Sequence, residues 1–426
     1  MASSTRRVVV TGIGVVSPIG LDKTRFWESL RAGQGGITTL TRFDASALPT
    51  RFGGEIREFD GKDFLEKKDR KSLKMMSRTI QFAVASARLA LSDSGADDGR
   101  LDRTRFGVEF GAGLLASELE ELGASAKLSA NCQPGSVDLE KWGAEGLPSM
   151  QPLWMLKYLP NMLASHVSIL YDAQGPNNTI TENEVAGLLA LSEATRIVQR
   201  DGADFFLVGG ADSKLNPLSL VRHSLFMPLS RRNESPHTAS RPFDRNRDGV
   251  VLGEGGTVLA VEELEHARRR GGRIYAEIVG CGAAFDRDRS GAGLARAIQV
   301  ALAQAGVGPE DIDHVNAHGA GAVETDRWEA RGLQQVFGKS SKPPPVFAVK
   351  SYVGSLGAGS GTTELAASIL ALGEGVLPAT LNYETHDPDC PVNVAAKELR
   401  PTRLAHALKV SFTEMGQCAA IVVRKW

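Results

Sequence analysis

From its start almost to its end the chain alternates between short runs of β-branched and apolar residues and longer stretches with helical spacing. No other feature constrains the fold as much. RRVVVTGIGVVSPIG reads as a buried strand ending in a Gly/Pro turn, and LDKTRFWESLRAG as a helix with a glycine stop. SRTIQFAVASARLALSDSG then reads as a helix rich in small residues, FGVEFGAGLL as strand and loop, and NEVAGLLALSEATRIVQRDG as a strong helix feeding the strand ADFFLVGGAD. The rhythm repeats in RIYAEIVGCGAAF, SGAGLARAIQVALAQAGV, DIDHVNAHGAG and ETDRWEARGLQQVFG. It predicts an α/β fold of two similar halves, residues 1–254 and 255–426, dividing near VVLGEGG. Residues 113–160 break the pattern with the polar, turn-forming NCQPGSVD and the Trp/Leu/Met-rich PLWMLKYLP, so a cap inserted over part of the first half is expected there. SKPPPV, at 341–346, reads as a stiff loop before a strand.

A chain of 426 residues with 42% hydrophobic and 23% charged residues can bury a large core, and a formal net charge of -1 offers no field that would gather nucleic acid. Small molecules or proteins are therefore the expected partners. Cys132, Cys281, Cys390 and Cys418 lie far apart, without zinc-site spacing, and read as reduced thiols. The apolar run VVVTGIGVV is short and broken by glycines, unlike a signal sequence or a spanning helix, so the expectation is a cytoplasmic chain with no membrane segment. Gly12 and Gly14 form a GxG after a strand but lack the third glycine of a dinucleotide site, and read instead as a tight core turn; no cofactor is implied. Glu234, Asp244 and Asp248 miss the spacing of a calcium loop and read as structural, so no metal is expected.

Four stretches together resemble the beta-ketoacyl-acyl-carrier-protein synthases, condensing enzymes of the thiolase-like fold. VVVTGIGVVSPIG resembles that family's first strand, SRPFDRNRDGVVLGEGG its mid-chain signature, VNAHGAGAVETD its HGTxTxxxD loop and AVKSYVGSLGAGSG its KSxxGHxxxAxG loop. The resemblance implies a duplicated, five-layered αβαβα fold, an acyl carrier protein as partner, and a dimer whose interface resembles NMLASHVSILYDAQGPN. It also implies where the catalytic groups belong, and there the chain departs. The family's nucleophilic cysteine falls, by ungapped spacing between Gly175-Pro176 and Gly209-Gly210, on Glu184 in TITENEVAGLLAL; only Thr181, on the preceding strand, is a nearby hydroxyl. His318 stands where the first histidine belongs and Lys350 where the lysine belongs, but the second histidine's place is Ser355. In the C-terminal turn, VSFTEMGQC, Phe412 survives, Thr413 follows, and Glu414 takes the gatekeeping phenylalanine's place. The loop GCGAAFDRDRSGAG is shorter than its family counterpart.

A carboxylate cannot replace a thiolate as the acyl carrier, because it attacks thioesters weakly and would form a readily hydrolysed anhydride. The resemblance therefore implies a condensing-enzyme scaffold unable to condense: a chain-length-factor-like partner in a heterodimer with a cysteine-bearing ketosynthase, or else a homodimer. Two alternatives stay open, a malonyl-carrier-protein decarboxylase and an enzyme of altered acyltransferase chemistry using Glu184, Glu414 and His318 as acid and base. Simpler expectations stand beside these. An acid near a helix N-terminus gains about 0.3–1 kcal/mol from the helix dipole without any chemistry. His318 is as readily a structural histidine as a working one. Lys350 is expected to pair with Glu184, Glu184 and Glu414 as buried like charges to raise the pKa of at least one of them, Ser355 to fill space, and Cys418 to be a buried thiol beside a strand. Arg70, Lys71, Lys74 and Arg78 read as a solvated helical face, or as a basic patch for an acidic carrier protein.

Overall fold

A computed structural model describes residues 6–96, 99–130 and 135–426; Cys132 lies outside them. Ten strands carry the architecture. In the first half they are β1 (Val8–Val16), β2 (Phe106–Ala112), β3 (Asn177–Thr181), β4 (Phe205–Ser213) and β5 (Glu254–Glu263). In the second they are β6 (Ala276–Phe285), β7 (Ile312–Asn316), β8 (Val346–Phe347), β9 (His406–Phe412) and β10 (Gln417–Lys425). Their spatial order is β8-β7-β9-β10-β6-β1-β5-β4-β2-β3. Each half thus runs third, second, fourth, fifth, first, and the two meet through their first strands, joined by only three residue pairs, Val8 to Val10 against Ile278 to Ala276. β5, which begins at Glu254, pairs with both β4 and β1 and is the fifth strand of the first half.

The helices divide into layers by what they bury. α1 (Arg78–Ser94) and α2 (Met162–Tyr171) cover the outer face of the first half, packing with β1, β2, β4 and β5. α5 (Ala292–Ala305) and α6 (Val323–Phe337) cover the outer face of the second. Between the halves lie α3 (Ala186–Gln199) and α7 (Ser360–Glu374), and α3 touches strands of both. This accounts for α7, whose residues Ser360 to Leu372 are all buried: a helix covered on every side shows no single polar stripe, and its few polar residues, Glu364 among them, are buried with the rest. The result is the expected five-layered αβαβα arrangement. α4 (Pro217–Phe226), with Asn216 as its N-cap, lies after β4 and leads to the site described below.

Gly12 and Gly14 are not in a turn. Both lie within β1, and their missing side chains let α1 approach: a Cβ on Gly14 would stand 2.0 Å from the Ser86 carbonyl oxygen, and one on Gly12 2.2 Å from that of Ala90. Glycine here signals close helix-on-strand contact instead of a bend. The described residues of 113–160 are largely irregular, with one longer helix, Leu119–Leu128, and with the start of α1 and of α4 they enclose a cleft of about 370 Å³ lined by Arg42, Arg78, Glu118 and Tyr158. Arg78 is no surface docking group, since its guanidinium pairs at 2.6 Å with the fully buried Glu254. Arg70, Lys71 and Lys74 lie on a short 3₁₀ turn, Arg70–Met75, not on an α-helical face. Asp244 accepts backbone N–H bonds from Glu384 and Thr385, both at 2.7 Å, and is structural. Asp248 accepts from Ser230, whereas among the described residues Glu234 pairs only with Arg51, at 3.7 Å. Among the described residues no helix is long and apolar enough to cross a membrane.

Since the atoms facing Gly14 are backbone on a packed helix, Gly14→Ala is expected to lower the unfolding free energy by about 1–3 kcal/mol, read as a reduced urea midpoint with the slope unchanged.

Candidate active site

The duplicated topology sends the ends of equivalent strands of both halves to one small cavity. After β3 the chain turns sharply into α3, with Asn183 in the left-handed region at φ 46° and Glu184 on the following 3₁₀ turn. Asparagine tolerates that conformation better than most residues, which places a side chain at the head of the central helix. After β8 the equivalent passage carries Lys350, then Gly354 at φ 73°, then Ser355. His318 stands on the loop after β7, and Phe412 and Glu414 at the end of β9. Six of the seven residues singled out in the sequence, Glu184, His318, Lys350, Ser355, Phe412 and Glu414, line this cavity. Thr413 does not: it is buried, and its hydroxyl is held by Gln417. The cavity measures about 20 Å³, space for one water molecule.

His318 is clamped through its backbone. Glu329, on α6, accepts the N–H of His318 at 2.6 Å and of Gly319 at 2.8 Å. On the opposite side, Lys350 Nζ donates to the His318 carbonyl at 2.7 Å and Lys409 Nζ to that of Ala317 at 2.9 Å. Glu364, on α7, ties the two lysines together, at 2.6 Å to Lys350 and 2.5 Å to Lys409. Lys350 therefore pairs with Glu364 and not with Glu184 as expected, because its ammonium reaches the fully buried carboxylate on α7. Burial, with Lys350 adding to it against the pull of Glu364, brings Lys409 down to about 8, and burial pushes Glu329 up to about 7. His318 is held well below its ordinary value, first by burial and then by Lys350 and Lys409, so its ring is neutral at neutral pH. Its Nδ1 lies 3.4 Å from Ser411 Oγ, and that hydroxyl donates to the Glu184 carbonyl at 3.1 Å. A hydroxyl has one proton, so Nδ1 must carry its own and Nε2 is the unprotonated nitrogen. The ring packs on Phe412, centroids 4.4 Å apart, and Phe412 packs in turn on Trp328.

Both cavity glutamates are pushed above the usual carboxylate range, though not by each other. For Glu184 the chief cause is desolvation; its own backbone N–H, Lys214 and Lys350 oppose it and Asp212 adds to it. For Glu414 desolvation is opposed only by Arg289, on the loop after β6. Each keeps some exposure, and each has a cation in its surroundings. The remaining cysteines stay away: Cys281, Cys390 and Cys418 are buried, raised by burial to about 11, 12 and 12, and outside the cavity lining.

Sequence reasoning missed Glu364, Lys409, Glu329 and Ser411, as well as the Asp212–Lys214 pair, 2.8 Å apart, whose lysine faces the charge of Glu184. Two of these had a visible signal. Lys409 is a lone lysine in the buried strand HALKVSF, and Glu364 an acid in the middle of the largely apolar run of the helix SGTTELAASILALGE, ten residues before the Glu374 at its exposed end. Charges that never reach solvent are buried in pairs.

The architecture and these loops have clear relatives. A model of the beta-ketoacyl synthase N-terminal domain matches residues 5–267, and one of the beta-ketoacyl synthase C-terminal domain residues 275–384. The chain is 34% identical over 426 residues to 3-oxoacyl-(acyl-carrier-protein) synthase 2 of Coxiella burnetii, covering 99% of both chains. It is 37% identical to the putative polyketide beta-ketoacyl synthase 1 of Streptomyces cyaneus, covering 98% of both. Among solved structures, the ishigamide ketosynthase/chain length factor superimposes with a TM-score of 0.87 at 28% identity, over 99% of this chain and 100% of that one. With two domain models spanning most of its length and full-length relatives above 30% identity, the chain belongs to the beta-ketoacyl synthase family.

Proposed function

We propose that this family member of fatty acid or polyketide biosynthesis does not condense, and serves as the chain-length-factor-like half of a heterodimer with a cysteine-bearing ketosynthase, working with an acyl carrier protein. The observation that carries this reading is the cavity itself: among the described residues no thiol lines it, a glutamate stands at the strand-to-helix turn, and about 20 Å³ leaves no room for an acyl chain. Chemistry agrees, since Ser355 cannot act as a second imidazole and Glu184 cannot hold a stable thioester. The similarity to a ketosynthase/chain length factor structure supports the heterodimer, and the carrier-protein synthases among the relatives support the carrier partner.

One observation favours a second reading, decarboxylation of a malonyl-carrier protein. The raised pKa of Glu184 lets a protonated carboxyl donate a hydrogen bond to the developing enolate, which an ionised one would repel. The sign follows from that proton: the activity would be full below the pKa of Glu184 and lost as pH rises through it.

Incubated alone with acyl- and malonyl-carrier proteins, the protein is expected to show no added acyl mass and no ketoacyl product; co-expressed with a cysteine-bearing ketosynthase, it is expected to elute as a one-to-one complex. Condensation by the isolated protein would overturn the proposal. Glu184→Cys supplies a thiol without the missing imidazole, so any turnover it gains should stay about a hundredfold or more below that of a complete site. For the second reading, carbon dioxide release from malonyl-carrier protein should exceed that of Glu184→Ala and fall as pH rises; equal release by the two proteins disposes of it.

A further inference from the structure

Beside the buried cavity lies an open cleft of about 350 Å³, walled by Pro49, Thr50, Ser224, Pro228 and Arg231. The linings of cleft and cavity have one residue in common, Met227. The backbone around it is fixed. Met227 follows α4 as its C-cap, its N–H bonding the His223 carbonyl at 2.8 Å, and the segment after it pairs with the chain at Val250 through Val250 N–H to the Pro228 carbonyl at 2.8 Å and Ser230 N–H to the Val250 carbonyl at 2.9 Å. Gly249, at φ 152°, packs so closely on this segment that a Cβ would stand 2.3 Å from the Pro228 oxygen. A loop held this way does not swing open. What remains free to move is an unbranched thioether side chain with three rotatable bonds, packed against the cluster that includes Val250 and Leu229.

We propose that this cleft is the mouth of the Glu184 cavity and that the side chain of Met227 closes it, so that the size of residue 227 decides which molecules reach Glu184. This goes beyond the proposed function and stands apart from it, since a plugged entrance can be tested with no substrate at all. The mouth suits a slender, flexible ligand: Pro49, Pro228 and Leu229 give it apolar walls, and the guanidinium of Arg231, exposed at its rim, makes no ion pair within 4 Å among the described residues.

The test places a reporter thiol in the cavity. With Cys132 replaced by Ser throughout, Glu184→Cys is combined with Met227→Ala, with Met227→Leu, or with Val250→Ala, and alkylation by iodoacetamide is followed by intact mass. Thiol reactivity follows access, so Met227→Ala is expected to speed modification of the residue-184 thiol by about tenfold or more, whereas Met227→Leu, of similar volume, should leave it slow. Val250 lines only the inner cavity, so Val250→Ala enlarges that space without opening it and should also leave the rate low. Far-ultraviolet circular dichroism and melting temperature establish that each variant is folded. Equal rates for Glu184→Cys with and without Met227→Ala, or an acceleration by Val250→Ala as large as that by Met227→Ala, would overturn the proposal.

Discussion

The site rests on a buried bridge of charge, Lys350–Glu364–Lys409, set against the carboxylate of Glu329 on the far side of one loop. The two ammonium groups take the carbonyls of Ala317 and His318, and Glu329 takes the amides of His318 and Gly319. Each group is costly to bury alone, and breaking such a set by removing one partner costs about 3–5 kcal/mol, because an uncompensated charge is left behind. The loop therefore has one arrangement. His318 is held by its own backbone, and its ring is left neutral by the same two lysines that fix its carbonyl.

Duplication explains why so many unlike residues converge. The third strand of each half leads through a glycine- or asparagine-bearing turn into a central helix, giving Glu184 at the head of α3 and Lys350 and Ser355 just before α7. The second strand of the second half supplies His318, and its fourth supplies Phe412 and Glu414. The fourth strand of the first half supplies Asp212 and the following Lys214, beside the elbow. Because the two halves face one another across a shared helical layer, one cavity collects side chains from equivalent points of both, in the way that ligand sites in open α/β sheets gather at the carboxyl ends of strands.

Much of this was legible in the sequence. Strand and helix alternation announced the two halves, and the quoted loops brought Glu184, His318, Lys350, Ser355, Phe412 and Glu414 to one place. Partners were harder to see than places. Lys350 was matched with Glu184 because both belonged to the site, but Glu364, fourteen positions further on and one helix deeper, offered a fully desolvated carboxylate at 2.6 Å. Thr413 follows Phe412 in sequence, yet alternation along a strand end sends its side chain the other way, to Gln417. Gly12 and Gly14 looked like a turn because a strand's glycines and a turn's glycines are spelled alike; only the helix above them distinguishes the two.

The charge bridge also bears on what the chain retains. Replacing a buried ion set by apolar residues of similar volume is often neutral or stabilising, so the burial of Lys350, Glu364 and Lys409 is no argument by itself for a stability role. Their measurable consequence is the fixed position of the loop from Ala317 to Gly319, and with it the shape of the surface formed by His318, Ala320 and Phe412 under Met227. A chain that had simply lost its chemistry would be free to fill this region with methyl groups. Here the cavity is closed while the loop beside it is held by four buried charged side chains, Lys350, Glu364, Lys409 and Glu329.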